Sequence, residues 1–280
     1  MTTPEPLSPV SRTALSVALV RAYESSRPDA LFRDPYAMAF VRASGMPLPT
    51  SGPAGEFARR LVLHGVIRTR FYDDRLVEAA DGRTGITQVV VLGAGLDTRA
   101  HRLPWQPGTR LFEVDLAPVL AFKQRVLDER GAVPRCERAT VAADLVHDDW
   151  AGGLVRAGLD PERPTAWLAE GLLVYLTEQE AAHLLSAVGG LSAPGSVLLL
   201  EQGRDVTTTP REDALAAMTD LWKGGLGPGT GSWLARDGWS VRLSDLAAVS
   251  AGYGRPSGPA AGSGFLTAER IAERIAEHTG

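Results

Sequence analysis

The pattern in this chain that most clearly indicates a ligand-binding site consists of two glycines and an aspartate that follows them later in the sequence. The apolar run Val89–Leu92 ends in Gly93 and Gly95, and glycines at such a point let the backbone turn tightly and approach a ligand closely. Asp115 follows 22 positions after Gly93. Its carboxylate could accept hydrogen bonds from both ribose hydroxyls of an adenosine, although a solvated acid at a strand end is the alternative. The pattern therefore predicts a nucleotide-binding loop.

Three further polar side chains follow predicted strands. Asp144 suits the exocyclic amine of adenine, with Leu145 as an apolar neighbour of the ring, whereas a helix-capping aspartate is the alternative. Glu170 interrupts an apolar run, and because a buried acid is costly without a partner, we expect it to face a ligand or a specific donor. Tyr175 combines an apolar ring with a polar tip, which suits either a ligand site or the core.

An α/β fold is predicted to position these residues. From Ser11, a predicted N-cap, to about residue 80, apolar residues recur three or four apart, as they do in helices. Strands and helices then alternate, which indicates a parallel sheet with helices on both faces and ligands beyond the carboxyl ends of its strands. The predicted strands are Gln88–Leu92, Arg110–Val114, Arg138–Ala142, Ala166–Ala169, Ser196–Glu201, Trp239–Leu243 and Gly264–Thr267, and the helices between them include Val119–Arg130 and Glu178–Leu191.

The composition favours a small-molecule partner. The 280 residues carry a net charge of −4 at pH 7 and show no basic stripe, so no nucleic-acid partner is predicted. The single cysteine, Cys136, can form no internal disulfide, and no metal site is predicted, which is consistent with a reducing cytoplasm. No segment approaches the roughly 20 apolar residues of a membrane span. A cytoplasmic protein without a membrane partner is therefore expected.

Four motifs that occur in order give the chain a resemblance to a known family. They are Gly93-Ala94-Gly95-Leu96-Asp97-Thr98-Arg99, Phe112-Glu113-Val114-Asp115, Ala143-Asp144-Leu145 and Ala169-Glu170-Gly171-Leu172-Leu173-Val174-Tyr175-Leu176. Together with Arg21–Ser25 and His64–Arg70, they resemble the S-adenosylmethionine-dependent leucine carboxyl methyltransferases, including bacterial members that act on polyketides and other small molecules. The resemblance implies a Rossmann-like class I methyltransferase fold, with a seven-stranded, mostly parallel sheet, an antiparallel last strand and an N-terminal helical cap.

The resemblance also implies roles for individual residues. Arg68 matches the arginine that pairs with the methionine carboxylate of the cofactor, although Arg70 lies two positions away, and Arg21 is the candidate for a second cation there. Glu170 matches the acid near the methionine part. The predicted cofactor set is Arg21, Arg68, Gly93, Ala94, Gly95, Asp97, Asp115, Leu116, Asp144, Leu145, Glu170 and Gly171, and the predicted substrate contacts are Tyr175, Trp222 and Trp233.

A single methyltransferase domain over residues 1–280 is expected, with a helical cap (1–85), a cofactor-binding core (86–202), a mobile substrate-side lid or insert (203–237) and terminal strands (238–280). The expected reaction transfers a methyl group from S-adenosylmethionine to a carboxylate or phenol of a small molecule such as a polyketide. A carboxylate is already ionised near neutral pH and needs no base, whereas a base would help a phenol. No residue is assigned as a general base.

Other functions stay open from the sequence. An NAD-dependent oxidoreductase is one, because a glycine loop followed by an acid is also the dinucleotide fingerprint, although Thr98 stands where that fingerprint has its third glycine. A cofactor-binding protein that has lost catalysis is another. A third is a carboxyl methyltransferase that acts on a protein C-terminus. Independently of these functions, the alternative for Trp222 and Trp233 is that they are ordinary packing residues.

Overall fold

The computed structural model of the protein describes residues 9–48, 55–203, 206, 216–257 and 264–272. Three helices precede the first strand: α1 (Pro9–Ser25), α2 (Ala37–Ala43) and α3 (Glu56–Ala79). Ser11 is not the N-cap that the sequence predicts, because α1 begins at Pro9, a residue whose fixed φ suits the first helical turn. Asp34 supports the start of α2, since its carboxylate accepts the N–H groups of Tyr36 and Ala37 over 2.9 and 3.1 Å.

Every predicted strand is present. They are β1 (Gln88–Leu92), β2 (Arg110–Asp115), β3 (Glu137–Ala142), β4 (Thr165–Ala169), β5 (Val197–Glu201), β6 (Trp239–Asp245) and β7 (Gly264–Arg270). The last two are longer than predicted because they pair with each other along their whole length, from Trp239 opposite Arg270 to Asp245 opposite Gly264. This pairing extends both strands over polar residues that local propensity would leave in loops.

The strands of the described chain form one seven-stranded sheet in the order β3-β2-β1-β4-β5-β7-β6. The first five are mutually parallel, and β7 runs antiparallel to its neighbours β5 and β6. The predicted fold class is thus confirmed. The carboxyl ends of β1, β2, β4 and β5 lie at one edge of the sheet, where an open α/β sheet binds its ligands.

Helices cover both faces of the sheet. One of them is α3, which packs on β4 and β5. The helices that follow β1 in the described chain are α4 (Arg99–Arg102), α5 (Ala117–Glu129), α6 (Trp150–Arg156), α7 (Glu178–Gly190), α8 (Ala216–Thr219), α9 (Thr230–Arg236) and α10 (Leu246–Gly252). Alternate residues of each strand enter different cores: Phe112 and Trp167 pack on one face, and Leu111 and Ala166 pack on the other. Burial on both faces explains why β1 and β4 are apolar throughout most of their length.

The predicted lid (203–237) is described only in part. Residues 204–205 and 207–215 lie outside the described residues, so its mobility stays a prediction. The described part contains α8, a short 3-10 turn at Gly227–Gly229, and α9. Within the described residues, we find no helix with the length and apolar character needed to cross a membrane.

Candidate active site

The glycine loop lies directly after β1 and is tightly packed. Gly93 and Gly95 have φ angles of 60° and 46°, in the left-handed region that side chains with a Cβ rarely adopt. A Cβ on Gly95 would lie 3.2 Å from the Cβ of Ala14 in α1, and one on Gly93 would lie 3.1 Å from a methyl of Leu172. The two glycines therefore allow α1 and the turn after β4 to close on the loop.

Asp115, at the end of β2, is held by two backbone amides. Gly95 N–H donates to Oδ2 over 2.6 Å, and Leu116 N–H donates to Oδ1 over 2.7 Å. Burial raises the pKa of the carboxyl, and these two hydrogen bonds oppose the shift only in part. Asp115 is therefore a fixed side chain rather than the solvated strand-end acid that the sequence left open, and each oxygen keeps a lone pair for a ligand.

Asp144 and Leu145 lie in the loop after β3 and line the same cavity as Asp115. The Asp144 carboxylate accepts Val146 N–H over 2.8 Å and lies 3.1 Å from Nδ1 of His147. The cap of the next helix is Asp149, whose Oδ1 accepts Gly152 N–H over 2.8 Å. The helix-capping alternative for Asp144 is therefore wrong.

Arg68 connects the carboxyl ends of two strands, β4 and β5, through ion pairs. Its Nε donates to Oε1 of Glu170 over 2.9 Å, and its Nη1 donates to Oε1 of Glu201 over 2.7 Å. Its Nη2 makes no hydrogen bond to the described part of the chain. Glu170 follows β4 and Glu201 ends β5, so one guanidinium from α3 holds both strand ends together.

Arg99 forms a second ion pair with Glu170. Its Nη2 lies 2.8 Å from Oε2 of Glu170, its Nε lies 2.8 Å from Asp73, and its Nη1 bonds Asp97. Burial pushes the pKa of the Glu170 carboxyl upward, but Arg99 and Arg68 outweigh burial, and the pKa is lowered. Glu170 is therefore ionised at neutral pH, with Arg68 as the specific donor that its sequence setting predicts and Arg99 as a second ion-pair partner.

Arg21 approaches the glycine loop from α1. Its Nε donates to Asp34 over 2.9 Å and its Nη2 donates to the Leu96 carbonyl over 2.6 Å. Asp34 also accepts the Thr98 hydroxyl over 2.8 Å. These contacts attach the N-terminal helices to the loop, while Nη1 of Arg21 makes no hydrogen bond within the described residues.

One cavity of about 1370 Å³ brings almost all predicted site residues together. From the predicted set it is lined by Arg21, Arg68, Gly93, Ala94, Gly95, Asp97, Asp115, Leu116, Asp144, Leu145, Glu170, Gly171, Tyr175 and Trp222. Trp233 does not line it in the described structure: it lies on α9 beside the buried Leu234 and packs on the hydrophobic core. The packing alternative therefore describes Trp233.

Glu201 is a cavity residue that the sequence reasoning missed. Its carboxylate accepts Gly171 N–H over 3.0 Å at Oε1 and 2.9 Å at Oε2, in addition to its bond with Arg68. The signal was available, since Glu201 closes a predicted strand just as the other acids follow theirs.

The fold and the site define a class of protein. A parallel sheet with one reversed strand next to its edge, a glycine loop after β1 and an acid at the end of β2 characterise Rossmann-like methyltransferases. The family model described as leucine carboxyl methyltransferase matches residues 14–189. The chain belongs to the leucine carboxyl methyltransferase family, and it is a methyltransferase.

Relatives agree with this assignment. A Frankia alni protein described as an S-adenosyl-L-methionine-dependent methyltransferase is 52% identical over 271 residues, which cover 93% of this chain and 94% of that protein. A Streptomyces avermitilis protein with the same description is 44% identical over 256 residues, 89% of each chain. The crystal structure of a DUF574 family protein from Streptomyces avermitilis shares the fold, with a TM-score of 0.55, 18% identity and coverage of 90% of this chain and 96% of that one.

Proposed function

We propose that this protein is an O-methyltransferase that transfers a methyl group from S-adenosylmethionine to a carboxylate or phenol oxygen of an apolar small molecule. The observation that carries this proposal is the extent of the cavity. Beyond the predicted cofactor residues it continues into an apolar region between α1, α3 and residues 222–226. A methyl donor alone would not need that second region.

The described residues fit S-adenosylmethionine. Asp115 offers two fixed carboxylate oxygens to ribose hydroxyls, and Asp144 with Leu145 offers a polar and an apolar neighbour to adenine. Nη2 of Arg68 and Nη1 of Arg21 are donors for an α-carboxylate, which guanidinium groups bind well. When bound, the cofactor supplies a methyl group that its sulfonium has already activated.

With such a donor, the main tasks of the protein are to align the acceptor and to exclude water. Six side chains, here called the acceptor wall, suit both tasks because they are apolar and line the cavity from three separate segments of the chain. They are Val17 and Val20 of α1, Leu61 and Val62 of α3, and Trp222 and Leu226. The acceptor wall favours an acceptor with a large apolar body.

Polar groups in the same region can orient the reacting oxygen. Tyr175 lines the cavity from the 3-10 turn after β4, and Lys223 lies at its rim with Nζ 3.2 Å from Oε2 of Glu180. His64 also lines the cavity, one helical turn before Arg68 on α3, and its ring packs on Phe265 with centroids 5.7 Å apart. A carboxylate acceptor would need these groups to hold its negatively charged oxygens in place, whereas a phenol would need a base to take up its proton.

Mass spectrometry tests the proposal. The protein is incubated with S-adenosylmethionine and a panel of apolar carboxylates and phenols, and with a peptide bearing a free C-terminus. We expect a small molecule to gain one methyl group; loss of that group under mild alkali identifies an ester, and its persistence identifies an aryl ether. Methylation of the peptide alone, or of no oxygen in any small acceptor despite cofactor binding, would contradict the proposal.

A matched variant makes this test specific. Trp222→Ala removes one large side chain of the acceptor wall and leaves the predicted cofactor residues unchanged. We expect weaker use of the methylated acceptor with unchanged binding of S-adenosylmethionine. Because the chain belongs to a methyltransferase family, we expect S-adenosylhomocysteine to bind and NAD not to bind.

A further inference from the structure

Glu201 has the most exposed side chain among the carboxylates of a largely buried ion-pair cluster. The cluster consists of Arg68, Arg99, Arg102, Asp73, Asp97, Glu170 and Glu201, joined by direct ion pairs. Three guanidinium groups face four carboxylates, so one negative charge is in excess. The adjoining Arg21–Asp34 pair is neutral in itself and does not change that excess.

Among the described residues, two carboxylates of the cluster, Glu201 and Asp97, each contact a single shared guanidinium, and of these two Glu201 has the more exposed side chain. Glu170 contacts two guanidinium groups, those of Arg68 and Arg99, whereas Glu201 contacts only Arg68, which it shares with Glu170. The other two hydrogen bonds of Glu201 come from the neutral Gly171 N–H. Its side chain is 19% exposed and lines the cavity, so the charge can act on a ligand there.

The turn after β4 is shaped to bring these groups together. Gly171 has a φ of 62°, and a Cβ at this position would lie 3.1 Å from Nη1 of Arg68. Glycine therefore leaves space for the guanidinium while its own N–H reaches the carboxylate of Glu201. The same turn carries Glu170, so Glu201 also fixes the backbone of a predicted cofactor residue.

The two forms of the cofactor differ in charge. S-adenosylmethionine carries a sulfonium, an ammonium and a carboxylate, a net charge of one positive unit, and S-adenosylhomocysteine, which lacks the sulfonium charge, is neutral overall. A carboxylate in a partly buried site attracts a cation much more strongly than it would in water. We propose that Glu201 makes the cofactor site discriminate in favour of the charged methyl donor over its neutral product. This inference rests on the proposed use of S-adenosylmethionine.

Calorimetric titration of the full chain with each ligand tests this role. Glu201→Gln removes the charge but keeps the shape and a hydrogen-bond acceptor. We expect its affinity for S-adenosylmethionine to fall about tenfold and its affinity for S-adenosylhomocysteine to fall less than about threefold, as the loss of one partly neutralised charge at moderate dielectric would produce. Glu201→Asp keeps the charge and is expected to retain the ratio of the two affinities.

Glu180→Gln is the matched control, because Glu180 lines the same cavity but is paired with Lys223 at its rim. It should leave both affinities unchanged. If Glu201→Gln lowers the affinities for both ligands by the same factor, Glu201 has only a structural role and the inference is overturned. Unchanged affinities for both ligands would overturn it as well. If the wild-type protein binds neither ligand, the proposed function fails as well, so the two failures are distinguishable. Thermal unfolding of each ligand-free variant verifies folding.

Discussion

Nη2 of Arg99 lies 2.8 Å from Oε2 of Glu170, although Arg99 is buried behind the cavity wall and does not line it in the described structure. This ion pair joins the start of α4 to the turn after β4. A residue that contacts no ligand thereby helps to hold the orientation of one that is predicted to do so.

Arg99→Met is expected to be strongly destabilising. The change leaves Asp73, Asp97 and Glu170 without a shared cation, and removing one partner of a buried ion pair typically costs about 3–5 kcal/mol. Urea unfolding measures the loss. Arg83→Met is the control, since Arg83 pairs with Asp81 on the surface and should leave the midpoint in place. Similar midpoints for both variants would show that the Arg99 pairs contribute little.

Arg68→Ala is expected to weaken cofactor binding and to lower the melting temperature of the ligand-free protein. The sequence alone suggests a residue that acts only on the ligand, but the structure places Arg68 between two carboxylates. Without Arg68, Glu201 would lose its ion-pair partner in the described structure, and Glu170 would keep only Arg99. Scanning calorimetry with and without S-adenosylmethionine separates the two effects. In the double variant Arg68→Ala/Glu201→Gln, part of the lost stability should return, and a further loss would contradict this account.

Cofactor affinity should decrease in mild acid because of Asp115. Burial raises the pKa of this carboxyl above its usual 3.8, so the group takes up a proton at a higher pH than an ordinary aspartate. Its charged form should bind ribose hydroxyls best, so affinity is full at neutral pH and falls as the pH decreases toward the raised pKa. The contribution of Asp115 to folding stability has the opposite sign, being greatest below pH 3.8 and lost as the pH rises through the raised pKa.

Titration calorimetry between about pH 7 and about pH 4.5 measures this dependence. Asp115→Asn should bind more weakly at neutral pH and show a flatter profile, because its amide does not titrate. An unchanged slope in Asp115→Asn would assign the acid dependence to another group.

Gly95→Ala is expected to destabilise the protein more than Gly108→Ala. Both glycines have positive φ, 46° and 83°, so both substitutions cost about 1–2 kcal/mol of backbone strain. Only at Gly95 would the new Cβ meet a neighbour, Ala14 of α1 at 3.2 Å. The difference between the two unfolding free energies isolates that contact, and equal losses would mean that α1 moves aside without cost.

The sequence predicts the strands and most of the site because both follow from local patterns. Apolar runs mark β1 and β4, and Asp115, Asp144 and Glu170 stand at or just after strand ends, where the chain must present polar groups to a ligand. The same rule would have selected Glu201. The family resemblance supplied Arg68 and Arg21, which no strand-end rule could identify.

The remaining features depend on contacts between distant parts of the chain. Arg99 meets Asp73 across 26 positions, and no local pattern encodes that meeting. Trp233 was predicted from its residue type, but the position of α9 against the core decides which way it faces. The full length of β7 likewise depends on its pairing with β6, which is set by the sheet and not by the intrinsic preference of Thr267–Arg270.

The arrangement of the cavity separates two engineering problems. Most of the predicted cofactor residues stand at or just after the ends of β1, β2, β3 and β4, and buried ion pairs join Arg68 to Glu170 and Glu201. The acceptor wall consists instead of apolar side chains on α1, on α3 and on residues 222–226. Substitutions in the wall can change volume without unpairing a charge. A library confined to those six positions would therefore explore new acceptors while keeping a common methyl-donating half, so the scaffold should tolerate redesign on one side only.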